Sequence, residues 1–112
     1  SLPNKANDAV LALEGTPRAS VLLARSMPPG SNNMWVLWEF SDIEKVKRSP
    51  NVQDPGASAI SVQVENLPAL LKRMQAAGVT IETPGGAPVA LGNGHKGALV
   101  RSPDGLLIEL VE

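Results

Sequence analysis

The chain has 112 residues, of which 43% are hydrophobic and 19% are charged, so it fits one globular domain and excludes both two large domains and a disordered chain. Its formal net charge of −1, with Lys and Arg scattered along the sequence, excludes the basic footprint of nucleic-acid or anionic-membrane binding. The lack of cysteine excludes disulfides, thiolate nucleophiles and Cys-based metal sites.

Targeting signals are not evident in the sequence. No apolar run reaches the ~18 residues of a membrane span, and the N-terminus lacks the basic-then-apolar layout of a signal peptide. We therefore expect a soluble protein with a small-molecule partner and no nucleic-acid or membrane partner. The compartment stays unassigned, with the cytoplasm favoured. Because the chain begins at Ser1, processing or a missing N-terminal portion is an open alternative.

Residues 1–48 are predicted to hold three strands after a polar lead-in over 1–8. Short apolar stretches place the strands at 9–13, 19–25 and 34–40. Gly15 and Pro17 supply the turn of a hairpin between the first two strands. Two prolines and a glycine make 26–33 a loop.

A polar linker at 49–56 separates these strands from a second set of elements at 57–112. Apolar and more polar side chains alternate along residues 57–64, which predicts a strand. The only long helix follows, with Asn66 as its N-cap, Gly78 as its left-handed C-terminal end, and an apolar stripe of Leu67, Leu70, Leu71 and Met74. Further extended segments are predicted at 79–82, 88–91, 95–101 and 106–111, the last two joined by a turn at 102–105.

The C-terminal strand carries one residue that breaks its apolar pattern, Glu109. Side chains alternate between the two faces of a strand, so Glu109 shares its face with Leu107 and Val111. A carboxylate in such a place must be paired, protonated, bound to a metal or facing a wet cavity. This makes Glu109 the first candidate for a catalytic residue. A solvated strand-end carboxylate is the alternative interpretation.

An internal repeat is visible: LARSMPPG at 23–30 matches LVRSPDG at 99–105 with one insertion, and an apolar strand follows each copy. The second copy, 57–112, has the order of a complete βαβββ module. The first copy retains only its trailing strands, and its opening strand and helix are absent.

The paired modules, the Asp-Pro-Gly linker and the ending SPDGLLIEL resemble the vicinal oxygen chelate superfamily, which includes glyoxalase, bleomycin-resistance and extradiol-dioxygenase proteins. The resemblance covers nearly the whole chain from about Ala9. It implies an α+β fold in which two βαβββ modules curl their sheets into a cup with the helices outside. It also implies a divalent metal inside the cup, held by His and Glu residues from the first and last strands of each module.

Only one of these ligand positions is retained here. Glu109 matches the last-strand carboxylate of the second module, whereas the other positions fall at Ala59, at Val36 and in the missing segment. One carboxylate cannot hold a divalent metal that needs about three protein ligands. His95, beside Asn93 and Gly94, is the weaker candidate ligand, and an exposed or loop-capping role suits it better. The missing ligand positions therefore favour a protein without a metal or other cofactor, with a bound divalent metal as the alternative.

The same register predicts a mainly apolar ligand cavity with a few polar groups, a composition typical of small-molecule sites. Its lining is predicted to be Val36, Trp38, Phe40, Ala59, Ser61, Gln63, Leu107, Glu109 and Val111. Packing of Trp38 and Phe40 as core residues is the alternative.

Three functions are compatible with this cavity. The first is a glyoxalase-like lyase or isomerase, or a dioxygenase, in which Glu109 is a general base or metal ligand. The second is a non-catalytic protein that sequesters an apolar or aromatic compound, as bleomycin-resistance proteins do. The third is a structural or regulatory domain with a filled cup.

The truncated first module predicts association, because its sheet has an uncovered face and an unpaired edge. We expect either a homodimer or pairing with an N-terminal segment that belongs to a longer protein.

Overall fold

The computed structural model describes residues 4–5 and 8–112, with side chains described from Asp8 onward. The rest of the predicted lead-in, 1–3 and 6–7, lies outside the described residues. The chain divides into two units, the first ending at Lys45 and the second spanning Val46–Glu112. This division lies a few residues before the predicted linker at 49–56.

In its described residues, the first unit contains a three-stranded antiparallel sheet and one short helix. Its elements are β1 (Asn4–Lys5), α1 (Asp8–Leu13), β2 (Ser20–Ser26) and β3 (Trp35–Ser41). The strand order is β1-β2-β3, and the register of β2 and β3 pairs Arg25 with Val36 and Leu23 with Trp38. The predicted strands at 19–25 and 34–40 are therefore present, each displaced by one residue.

The predicted strand at 9–13 is wrong, because these residues form helix α1. The amide of Glu14 donates to the carbonyl of Val10 at 3.0 Å, as in a helical turn. Leu11 is buried with Ala19 and Val21, which gives the helix an apolar contact. The stretch is rich in Ala and Leu, which favour helices, and five residues are too few to separate the two periodicities. The predicted hairpin to 19–25 is absent for the same reason, and β2 instead pairs with β1 and β3.

The second unit has the predicted order of strand, helix and further strands. Its elements are β4 (Ala59–Gln63), α2 (Leu67–Ala76), β5 (Thr80–Ile81), β6 (Val89–Gly92), β7 (His95–Arg101) and β8 (Leu107–Val111). The sheet order is β4-β8-β7-β5, and β6 also pairs with β7. β4 and β8 are parallel, whereas β7 and β8 are antiparallel. The α+β class and the complete module in the second half are thus confirmed.

Helix α2 begins and ends as its sequence predicts. The side chain of Asn66 accepts a hydrogen bond from the Ala69 amide at 3.3 Å, and Gly78 follows the helix with φ of +80°, a conformation that glycine adopts at little cost. The Glu112 carboxylate also accepts from the Leu67 amide at 3.1 Å. This contact places a negative charge at the helix N-terminus, where it is stabilising.

Helix α2 covers one face of the second sheet. Leu67 and Leu71 form a buried cluster with Ala98, Val100 and Leu110, and Met74 packs against this cluster, as its spacing predicts. Within the described part of the chain, no helix has the length and apolar character needed to cross a membrane.

Candidate functional site

The face of the second sheet opposite α2 carries Glu109. Direct pairing puts residues of neighbouring strands on the same face, and the registers place Ser61 of β4 and Leu99 of β7 on either side of Glu109. We call these three residues the Glu109 row. The row combines a hydroxyl, a carboxylate and an aliphatic side chain, and Leu107 and Val111 flank Glu109 along its own strand.

Glu109 is solvent-exposed in the folded chain, as is Ser61. Among the residues that the structure describes, the Glu109 side chain has no hydrogen-bond or ion-pair partner. Water reaches the Glu109 side chain in the folded chain, as in the alternative interpretation of this residue as a solvated strand-end carboxylate. Both carboxylate oxygens remain available to accept hydrogen bonds from a ligand.

The remaining predicted lining residues of the second unit differ in exposure. Ala59 and Gln63 lie on the same face as Glu109 and are exposed. Leu107 is only 1% exposed, so it offers almost no surface to a ligand, and its prediction as a lining residue is corrected to that of a core residue. Strand alternation assigns a face, but it does not determine how much of that face other segments cover.

The three predicted lining residues of the first unit lie along β3. The rings of Trp38 and Phe40 stack with centroids 5.9 Å apart and an interplanar angle of 23°. Phe40 packs against the buried cluster of Leu11, Ala19 and Val21, so it serves as core, the alternative noted for it above. Trp38 and Val36 are 36% and 39% exposed and retain surface for a ligand.

The register of the two hairpins revises the correspondence between the modules. The repeat aligns Arg25 with Arg101, and these residues pair with Val36 and Leu107 respectively. Counting two residues along each strand sets Trp38, and not Val36, at the position equivalent to Glu109. An indole ring has no lone pair suited to a metal, so neither residue replaces the carboxylate of the second module.

A divalent metal does not fit the residues around Glu109. The residue of β4 paired with Glu109 is Ser61, and Ala59 pairs with Leu107. His95 lies four residues from Leu99 along β7, which is about 13 Å at the rise of an extended strand, and its Nδ1 lies 3.2 Å from the carbonyl oxygen of Glu112. Within residues 8–112, no three His, Cys, Asp or Glu side chains converge as a metal site.

We expect the purified chain to contain less than one equivalent of Zn, Fe, Mn or Ni, because the Glu109 row supplies one carboxylate where an open metal site needs about three ligands. Elemental analysis after chelator-free purification measures this directly. One equivalent of any of these metals per chain would contradict the expectation. Its loss from Glu109→Gln but not from Glu65→Gln, which changes an exposed carboxylate before α2, would assign the metal to Glu109.

Two contacts of this unit were not predicted from the sequence. Leu99 was not recognised as a neighbour of Glu109, although the turn at 102–105 fixes the register that pairs them. Glu112 was not recognised as a cap of α2, because the contact joins residues that are 45 positions apart and no local pattern encodes it.

Comparison with known proteins identifies the fold. No protein-family model matches the sequence, and no significant match was found among curated proteins. The structure superimposes on that of a glyoxalase family protein from Bacillus cereus with a TM-score of 0.79 and 19% sequence identity, covering 98% of this chain and 77% of that one. Similarity at this level of identity concerns the fold and not the reaction. This chain therefore has a glyoxalase-type fold.

Proposed function

We propose that this chain is a member of the vicinal oxygen chelate superfamily that binds a small organic molecule at the Glu109 row. The observation that most supports ligand binding at this place is the exposed Glu109 carboxylate. It has no partner among the described residues and lies between a hydroxyl and an aliphatic side chain. A carboxylate accepts hydrogen bonds and does not donate them. The ligand is therefore expected to join an apolar body to an amine or another strong donor.

Glu109→Gln is expected to weaken the binding of benzylamine by about tenfold or more, because a charge-assisted hydrogen bond is replaced by a weaker neutral contact. The binding of benzyl alcohol, which carries no charge, should change much less. NMR titration that follows the amides of Ser61, Leu99 and Glu109 measures both constants.

The fold should survive this substitution, since exposed side chains away from special features change stability by about 0.5 kcal/mol or less. Glu65→Gln is the matched control and should leave both titrations unchanged. If Glu109→Gln lowers the melting temperature by several degrees and leaves benzylamine binding intact, Glu109 has a structural role and the ligand site is refuted.

A catalytic use of the same carboxylate is the second candidate, because an unpaired, water-accessible Glu109 is free to accept a proton as a general base. This suits a lyase or isomerase of the glyoxalase type. Exchange of the C–H protons of hydroxyacetone for deuterium, followed by NMR, separates a base from a passive hydrogen-bond acceptor. A dioxygenase reaction fits less well, because the Glu109 row lacks the set of ligands that its metal would need.

We also propose that the first unit associates with a further strand and helix. In the second unit, β4 pairs with β8. The repeat makes β3 the counterpart of β8, and β3 is the edge of the described β1-β2-β3 sheet. Leu22 and Leu37 are 48% and 60% exposed. Their counterparts, Ala98 and Ile108, pack in the cluster beneath α2. Either a second copy or an N-terminal segment of a longer protein would cover this face.

Leu37→Glu is expected to disrupt that association, because it replaces an exposed leucine of this face with a charge. Light scattering combined with intact-mass spectrometry distinguishes a dimer of 112-residue chains from a complex with an additional peptide. Val52→Glu is the control, because Val52 is also an exposed apolar residue but belongs to the second unit. This variant should have the same association state as the unmodified chain. The proposal would be contradicted if the chain is a monomer that unfolds cooperatively and neither substitution changes its association state.

A further inference from the structure

A cleft of about 310 Å³ lies in the second unit, and its lining contains none of the three residues of the Glu109 row. Three segments form its walls: the stretch after Val46, the residues that follow α2, and the end of β7. The polar residues of its lining are Lys47, Ser49, Thr80, Arg101 and Ser102. The volume falls at the lower end of the range for small-molecule sites, so a small ligand or one group of a larger ligand would fill it.

The wall that carries Lys47 and Ser49 is held in place by a close backbone approach. A Cβ atom on Gly105 would overlap the carbonyl oxygen of Arg48 and would lie 3.7 Å from the Cα of Ser49. Gly105 is buried and has φ of +91°. The segment around Arg48 therefore lies directly against the turn between β7 and β8, and this contact fixes the residues on either side of Arg48 beside the cleft.

The guanidinium of Arg101 is oriented before any ligand arrives. Its Nε donates to the Glu82 carboxylate at 2.5 Å and its Nη1 donates to the Gly105 carbonyl at 3.2 Å. The Arg101 side chain is 12% exposed, so its charge is largely shielded from bulk water. A guanidinium has five N–H donors, and two protein contacts leave several of them for a ligand.

The other polar groups of the cleft are also donors. The Ser102 hydroxyl oxygen accepts from the Leu106 amide at 3.1 Å, which leaves its proton free to be donated. Lys47, Ser49 and Thr80 have no side-chain partner among the described residues. Two cations therefore line the cleft, and Glu82 compensates for one of them.

From this arrangement we propose that the cleft binds a small oxyanion, such as a carboxylate or phosphate group, between Lys47, Arg101 and Ser102. Arginine and lysine bind anionic oxygen with short charge-assisted hydrogen bonds, and an oriented guanidinium loses little freedom on binding. The hydroxyls of Ser49 and Thr80 add neutral donors at the rim. This assignment is independent of the ligand at the Glu109 row, which is expected to carry the opposite charge.

Titration of the ¹⁵N-labelled full chain with inorganic phosphate and, separately, with acetate tests the proposal, with NaCl adjusted to keep the ionic strength constant. We expect saturable shifts of the Gly78, Thr80 and Ser102 amides at millimolar anion. A response to both anions indicates a general oxyanion site, and a response to one alone identifies the preferred group. The lack of saturable shifts with either anion would overturn the proposal.

Lys47→Ala is expected to weaken anion binding by about tenfold, because one charge-assisted contact is lost. Lys47→Arg should largely preserve the binding. Lys72→Ala, on the exposed side of α2, is the matched control and should retain the affinity of the unmodified chain. Equal losses in Lys47→Ala and Lys72→Ala would show diffuse attraction to the protein surface and would also refute the site.

Discussion

Replacing Gly105 with alanine is expected to lower the free energy of unfolding of the second unit by about 3 kcal/mol or more. The residue has φ of +91°, where an L-residue is strained by roughly 1–2 kcal/mol. The new Cβ would also overlap the carbonyl oxygen of Arg48, and a backbone atom cannot rotate away as a side chain does. The segment around Arg48 must then leave the turn.

Thermal unfolding followed by circular dichroism should show a drop of more than about 10 °C for Gly105→Ala, given the usual 4–8 °C per kcal/mol for a domain of this size. Gly94→Ala is the matched control, because Gly94 has φ of +82° but a Cβ added there would meet no atom within 4 Å. The stability of Gly94→Ala should fall only by the cost of backbone strain. Equal losses in the two variants would show that the Arg48 contact contributes nothing.

Truncation of Leu67 to alanine is the second large effect, with an expected loss of about 3–4 kcal/mol. Leu67 is 0% exposed and belongs to the cluster that joins α2 to the sheet. Removal of a fully buried leucine side chain forfeits its transfer free energy and leaves a cavity, which together cost about 2–5 kcal/mol. Alanine keeps the helix propensity high, so the loss reports packing.

Urea unfolding monitored by circular dichroism measures this difference from the midpoint at unchanged slope. Leu106→Ala removes the same atoms from a position that is 36% exposed, and about 1 kcal/mol or less is expected there. A loss for Leu67→Ala as small as that for Leu106→Ala would mean that α2 is not packed on the sheet as described.

Features of the second unit could be predicted because their signals are local. Asn66 and Gly78 bracket α2 within a dozen residues, and the turn at 102–105 sets the pairing of β7 with β8. Such elements depend on backbone conformations that few residues adopt. The same hairpin register is what puts Glu109 on the face opposite α2.

Other features could not be predicted because they depend on distant segments. Residues 9–13 form a helix whose Leu11 is buried against β2, and a five-residue apolar stretch does not specify its partner. The burial of Leu107 depends on the segments that cover its face, and the Glu112 cap depends on closure of the whole second unit. The free carboxylate of Glu109 became evident only when its exposure and its neighbours were known.

The parallel pairing of β4 with β8 also constrains the order in which the second unit folds. Ala59 pairs with Leu107, so these strands meet only after the intervening chain is brought into a closed loop, which costs conformational entropy before any contact compensates for it. Helix α2 and the β7–β8 hairpin involve short loops and are able to form early. The folding rate should therefore be limited by the long-range pairing of β4, and until this pairing is complete β4 is an unpaired strand open to mispairing with another chain.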